Sequence, residues 1–218
     1  VRARQTGVRY SVDARADTLF ILANDTHPNF RVATAPLADP GRWTTLIAPS
    51  DRDYLTGLTA FQSYLAIEQR TDGLDQIRLH FPDGRDHFVR FPEASYTANL
   101  GTNAGADAPV LRLGYSSMVT PTTVYDYDVA ADRLQTRKVQ EIPSGYDASQ
   151  YVTERLFATA RDGTRVPISI LYKKGYRKDG TQPLHVYGYG SYGYGLPPSF
   201  SASRLSLVDR GFAYALVH

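Results

Sequence analysis

The chain has 218 residues, 42% of them hydrophobic and 21% charged, which is ordinary globular composition and excludes a disordered chain. Its 24 basic and 22 acidic side chains are spread along the sequence for a net charge of +2, so no basic stripe points to a nucleic-acid partner. Cysteine is absent, which removes disulfides, thiolate metal sites and cysteine nucleophiles together and leaves the redox compartment open.

No apolar run approaches 18 residues, so no helical membrane span is expected, and no basic-then-apolar leader precedes the body. The first residue is Val1 and the last stretch, GFAYALVH, is apolar up to His218. Both ends are expected to be internal cuts, making the chain a fragment.

Taken in order, the first two thirds repeat. Thr18–Asn24 (TLFILAN), Tyr64–Gln69 (YLAIEQ) and Val110–Ser116 (VLRLGYS) share one shape and start 46 residues apart. Each is followed by a second alternating run, at Arg31–Leu37, Gln76–Phe81 and Thr123–Val129. Turns reading ADPGR, PDGRD and AADR then lead to a third, at Trp43–Ile47, His87–Phe91 and Leu134–Val139. Alternation with period 2 in short runs between polar turns predicts antiparallel strands. A period of about 40–50 residues with several strands per unit is the spacing of propeller blades. Tyr54–Phe61 fits the inner strand of the following blade. Residues 1–141 are therefore read as an incomplete β-propeller of about three blades, with an irregular β-sandwich as the alternative. Trp43 is read as a packing residue.

Residues 142–150 (IPSGYDASQ) hold no sustained period and are read as a linker. Beyond them Tyr151–Thr159 alternates, Arg161–Arg165 makes an Asp-Gly turn, and Val166–Tyr172 returns, predicting a hairpin that opens a second domain over residues 151–218. Lys173–Gln182 is read as solvated surface. Leu184–Tyr187 predicts a short strand that breaks into GYGSYGY, where glycines allow sharp turns and close approach and tyrosines bring hydroxyl donors.

Several chemistries are weighed against this loop. The five histidines share no HxH or HExxH spacing, and His80 and His87 flank a hairpin without a third ligand, so no metal site is expected. Gly188–Gly193 matches GxGxxG, but a dinucleotide site needs a helix beginning at the loop, and Leu196-Pro197-Pro198 intervenes. No cofactor is expected. No serine stands in a GxSxG elbow; Ser191 sits between Tyr189 and Gly193.

The run VYGYGSYG (Val186–Gly193) followed by SFSASRLSLVDRGFAYALVH (Ser199–His218) resembles the prolyl oligopeptidase family of serine peptidases, and YGSYG is similar to its oligopeptidase B branch. LRLGYSSMVTP (Leu111–Pro121) and ARDGTRVPISILYKKG (Ala160–Gly175) agree. The resemblance implies the last blades of a seven-bladed propeller followed by the opening strands of an α/β-hydrolase domain. It implies a serine endopeptidase acting on short peptides after Lys or Arg, in the cytoplasm with the periplasm as the alternative, and leaves the oligomeric state unspecified. The charge distribution and hydropathy, not the resemblance, are why no nucleic-acid or membrane partner is expected. It also implies that Tyr189 donates its hydroxyl to the oxyanion, and that the Ser-Asp-His triad lies beyond His218, so that the 218-residue chain alone is inactive. A proline-type specificity and a non-enzymatic propeller binding module are the alternatives.

Overall fold

The computed structural model describes residues 1–218 as sixteen strands, one α-helix and two 3-10 turns. The strands form four sheets of four. The first is β1 (Tyr10–Arg15), β2 (Thr18–Ala23), β3 (Arg31–Pro36) and β4 (Thr44–Ile47). The second is β5 (Asp53–Ala60), β6 (Leu65–Thr71), β7 (Leu74–His80) and β8 (Asp86–Phe88). The third is β9 (Thr97–Leu100), β10 (Val110–Ser116), β11 (Thr123–Asp128) and β12 (Arg133–Val139). In each of these three, consecutive strands are neighbours, as in an up-and-down meander.

The repeating segments TLFILAN, YLAIEQ and VLRLGYS become β2, β6 and β10, the second strand of each meander. Their apolar character follows from burial, on both faces in β2 and chiefly on the Leu111, Leu113 and Tyr115 face in β10. In β2, five of six residues are buried, with Phe20 and Leu22 on one side and Leu19, Ile21 and Ala23 on the other. Phe20, Leu22 and Val32 pack on Leu55, Leu65 and Ile67 from β5 and β6, giving the first compact unit (residues 1–90 and 102–111) its core. The β6–β7 hairpin turns through Asp72 and Gly73, both with positive φ (51° and 79°), as a two-residue turn matched to strand twist requires. Trp43 packs edge-on to Tyr10 with ring centroids 5.3 Å apart and donates its indole N–H to the Pro40 carbonyl at 3.1 Å.

The fourth sheet has another topology. It contains β13 (Tyr151–Thr159), β14 (Arg165–Lys173), β15 (Leu184–Gly188) and β16 (Ala213–Val217), in the order β13-β14-β16-β15. β13 and β14 form an antiparallel hairpin, and Gly163 at its turn has φ of 86°. β16 adds antiparallel to β14, while β15 runs parallel to β16. The β15–β16 connection carries α1 (Ala202–Asp209), a helix the sequence reading did not anticipate. Ser201 caps it by accepting from the Arg204 amide at 3.3 Å, and Gly211, with φ of 93°, allows the chain to leave it. Leu205 and Val208, three residues apart, lie on one face and pack with Leu171 and Leu216 of the sheet.

Met118 completes that cluster, from the turn between β10 and β11, and is 0% exposed. The turn is held from several sides. Glu93 accepts hydrogen bonds from the hydroxyls of Tyr115 (2.5 Å), Ser117 (2.8 Å) and Thr120 (2.9 Å). The Tyr146 hydroxyl donates to the Val119 carbonyl, and the Phe200 amide donates to Ser116 Oγ at 3.0 Å. Burial first, and then the Glu93 carboxylate beside it, raises the Tyr115 phenol well above its ordinary value. All of these residues belong to the second compact unit, residues 91–101 and 112–218. Truncating a buried methionine removes its transfer energy and leaves a cavity, so Met118→Ala is expected to cost about 2–5 kcal/mol. Urea unfolding checks this, and a loss below ~1 kcal/mol would show that the turn does not anchor the cluster.

Candidate active site

Parallel strands bring their carboxyl ends together, and in α/β units ligands bind in the loops that follow those ends. The register pairs Leu184 with Ala213 and continues to Gly188 with Val217. β15 and β16 therefore finish side by side, and the glycine–tyrosine loop emerges from that edge. A Cβ on Gly188 would stand 3.5 Å from the Val217 side chain, ordinary contact, so the strand end lies against its neighbour without a clash.

The loop then tightens. Ser191–Gly193 forms a single 3-10 turn, closed by the Tyr194 amide donating to the Ser191 carbonyl at 3.1 Å. Tyr192 and Gly193 both take positive φ, 59° and 69°. For glycine this is free of strain; for tyrosine it is an uncommon conformation that sends the side chain outward. Tyr192 is 100% exposed, whereas Tyr189 is 43% exposed and packs edge-on to Tyr194, with centroids 6.4 Å apart. Of the loop tyrosines, Tyr189 stands next to the end of the parallel pair.

The downstream end of the loop is also held. The Leu196 carbonyl accepts from His218 Nδ1 at 3.0 Å, and His218 Nε2 lies 2.6 Å from Ser169 Oγ. Ser169 Oγ in turn lies 2.5 Å from Ser95 Oγ, and both serines are 1% exposed. The sequence reading singled out none of this network as functional. Its members are 74 and 49 positions apart, and no local spacing announces them.

Other features of the sequence take structural places. α1 begins at Ala202, beyond Pro197 and Pro198, and not at Gly193 where the GxGxxG pattern ends. His80 pairs with Asp86 at 2.8 Å, a carboxylate that Arg78 also holds. In the Lys173–Gln182 loop, Lys178 pairs with Glu154 and Arg177 with Asp179. A recess of about 760 Å³ lies beside α1, lined in part by Tyr146, Tyr151, Lys173 and Asp209. There a hydrogen bond from Lys173, and then one from Tyr151, holds the Asp209 carboxyl below its ordinary range. Asp209 precedes β16, so this recess sits at the amino end of the parallel pair, the end away from the glycine–tyrosine loop.

Residues 1–140 match the family model described as "Prolyl oligopeptidase, N-terminal beta-propeller domain". The chain belongs to the prolyl oligopeptidase family. Among relatives in this family, Dipeptidyl aminopeptidase BI of Pseudoxanthomonas mexicana is 37% identical over 99% of the chain and 30% of its own length. Protease 2 of Moraxella lacunata is 32% identical over 98% of the chain and 31% of its own length. Oligopeptidase B from Trypanosoma brucei, solved in a closed form with covalently bound antipain, superposes with a TM-score of 0.88 at 36% identity, covering 100% of this chain and 32% of that one. The chain thus spans about a third of the length of these prolyl oligopeptidase relatives, and over residues 1–140 its β architecture is that of the family's propeller.

Proposed function

We propose that this chain is part of a serine endopeptidase of the oligopeptidase B type, cleaving short peptides after Lys or Arg through an acyl-enzyme intermediate. The three meanders are read as propeller blades over residues 1–141, residues 142–150 as a linker, and residues 151–218 as the opening of an α/β-hydrolase domain. The observation that carries the reading is the placement of Tyr189 at the carboxyl end of the β15–β16 parallel pair. That is where a hydrolase of this topology gathers its catalytic loops. Tyr189 is the oxyanion donor: a fixed hydroxyl aimed at charge that develops only in the tetrahedral intermediate is worth far more in a dry site than in water.

The nucleophile, the acid and the base are supplied from outside these 218 residues, since no serine here stands in a GxSxG elbow. No cofactor is needed for such chemistry. The substrates are short peptides, and a cytoplasmic location follows the family's habit.

The name of one relative, Dipeptidyl aminopeptidase BI, supports a second reading, in which the site releases dipeptides. Assay of the full-length protein on a blocked Lys or Arg amide against an unblocked dipeptidyl amide separates the two. Greater kcat/KM on the blocked substrate is expected, and the reverse order would favour the second reading. A binding module predicts no turnover of either.

In the full-length enzyme, Tyr189→Phe is expected to lower kcat by roughly 10²–10³ while KM changes far less. An unchanged kcat would remove Tyr189 from the oxyanion site. The purified 218-residue chain is expected to hydrolyse neither substrate, and measurable turnover by it would contradict the placement of the nucleophile elsewhere.

A further inference from the structure

The loop from Tyr189 to Gly195 stands with its two ends on consecutive residues, Val217 at the end of β16 and His218 just after it. Upstream, Gly188 is the register partner of Val217. Downstream, the Leu196 carbonyl meets His218 Nδ1 at 3.0 Å. The His218 backbone is itself fixed, its amide donating to the Pro167 carbonyl at 3.0 Å. Seven residues are thereby closed into a ring whose base is the end of one strand, and Tyr189 is the first of them.

The hydrogen-bond pattern assigns the proton on the imidazole. A carbonyl oxygen only accepts, so Nδ1 carries the hydrogen that reaches Leu196. In the neutral ring Nε2 is then an acceptor, and Ser169 Oγ donates to it across 2.6 Å. Ser169, having spent its proton on His218, accepts from Ser95 at 2.5 Å. Both serines are buried, so solvent does not compete for these bonds. One ring nitrogen grips the loop and the other is met by a buried pair of serine hydroxyls.

We propose that His218 is a positioning residue for the oxyanion donor: it ties Leu196 to the end of β16 and so sets where Tyr189 stands. The inference rests on the reading of Tyr189 given above. Its physical content is that a loop held at both ends keeps its first residue within the narrow tolerance catalysis demands, whereas a loop held at one end does not. A misplacement of about 1 Å costs roughly 10²-fold in rate. Leu196 packs beside the cluster around Leu171 and Leu205, so losing the tether re-aims the loop without unfolding it.

Side-chain amides separate the two ring nitrogens. In His218→Asn the amide falls where Nδ1 was and retains a donor for Leu196; in His218→Gln it reaches the Nε2 position and retains only the serine link. In the full-length enzyme, His218→Ala and His218→Gln are expected to lower kcat about tenfold or more with little change in KM, and His218→Asn to restore most of it. Ser169→Ala, which removes a single oxygen, is expected to lower kcat in the same direction and serves where the histidine variants fold poorly. On a Tyr189→Phe background none of these changes is expected to add a further loss, because the group they position is gone.

His218→Gln as active as the parent, Ser169→Ala with kcat unchanged, or His218→Ala losing as much on the Tyr189→Phe background as alone would each overturn the proposal. If Tyr189→Phe lowers kcat and His218→Ala does not, this inference fails and the oxyanion reading stands. If Tyr189→Phe itself leaves kcat unchanged, both fail.

Discussion

The parallel pairing of β15 with β16 is the constraint from which the rest of the site follows. Antiparallel neighbours can be joined by two residues, but a parallel pair requires a crossover of a dozen or more. Here the crossover is residues 189–212, and the glycine–tyrosine loop, α1 and the stem at Leu196 all lie on it. It begins with the glycine–tyrosine loop because β15 ends flush with Val217 and the chain must turn away at once. It contains α1 because a crossover must cover the sheet it crosses, and Leu205 and Val208 do so against Leu171 and Leu216. It ends at β16, and His218, the residue after that strand, reaches back to the loop's far stem.

Packing ties this sheet to the third meander. The β10–β11 turn would be an ordinary polar connection were Met118 not enclosed by residues of β14, β16 and α1. Holding it there leaves backbone and hydroxyl groups that need partners, and the structure supplies them from three directions: Glu93, Tyr146 and Phe200. A carboxylate gathering three hydroxyl donors is a compact way to fix a turn, since each bond to an ionised acceptor is stronger than one between neutral groups. The Ser95–Ser169 contact adds a second link between the segment before β9 and the C-terminal sheet.

Much of the fold was legible in the sequence because period 2 and burial on two faces leave distinct marks. Val110–Ser116 was read with the boundaries β10 has, and the second strands of the other meanders fall within a residue or two of their expected limits. β9 (TANL) went unread because Leu100 is its one large apolar side chain and no alternation marks it. α1 was missed for a physical reason: in ASRLSLVD only Leu205, Leu207 and Val208 are apolar among the larger side chains, too few for a helical stripe, and the cap signals at Ser201 and Gly211 are common in loops. Met118 in SSMVT reads as a turn residue, and only tertiary packing buries it. Within the site, the glycine–tyrosine loop marked itself by composition, but nothing in its spacing distinguishes Tyr189 from Tyr192 or Tyr194. The family resemblance singled it out. The structure supplies a physical difference, since Tyr192 is fully exposed and Tyr189 adjoins the strand end. The His218 tether was illegible because hydrogen bonds between distant strands leave no local pattern.

The central claim is geometric, that Tyr189 meets the oxyanion, and a crystal structure of the full-length protein with a peptide aldehyde bound covalently to its nucleophile tests it most directly. The account predicts Tyr189 Oη about 2.7–3.1 Å from the hemiacetal oxygen, the span of a working oxyanion-hole donor. A Tyr189 hydroxyl well beyond hydrogen-bonding distance in that complex, with the oxygen held by other groups, would contradict it.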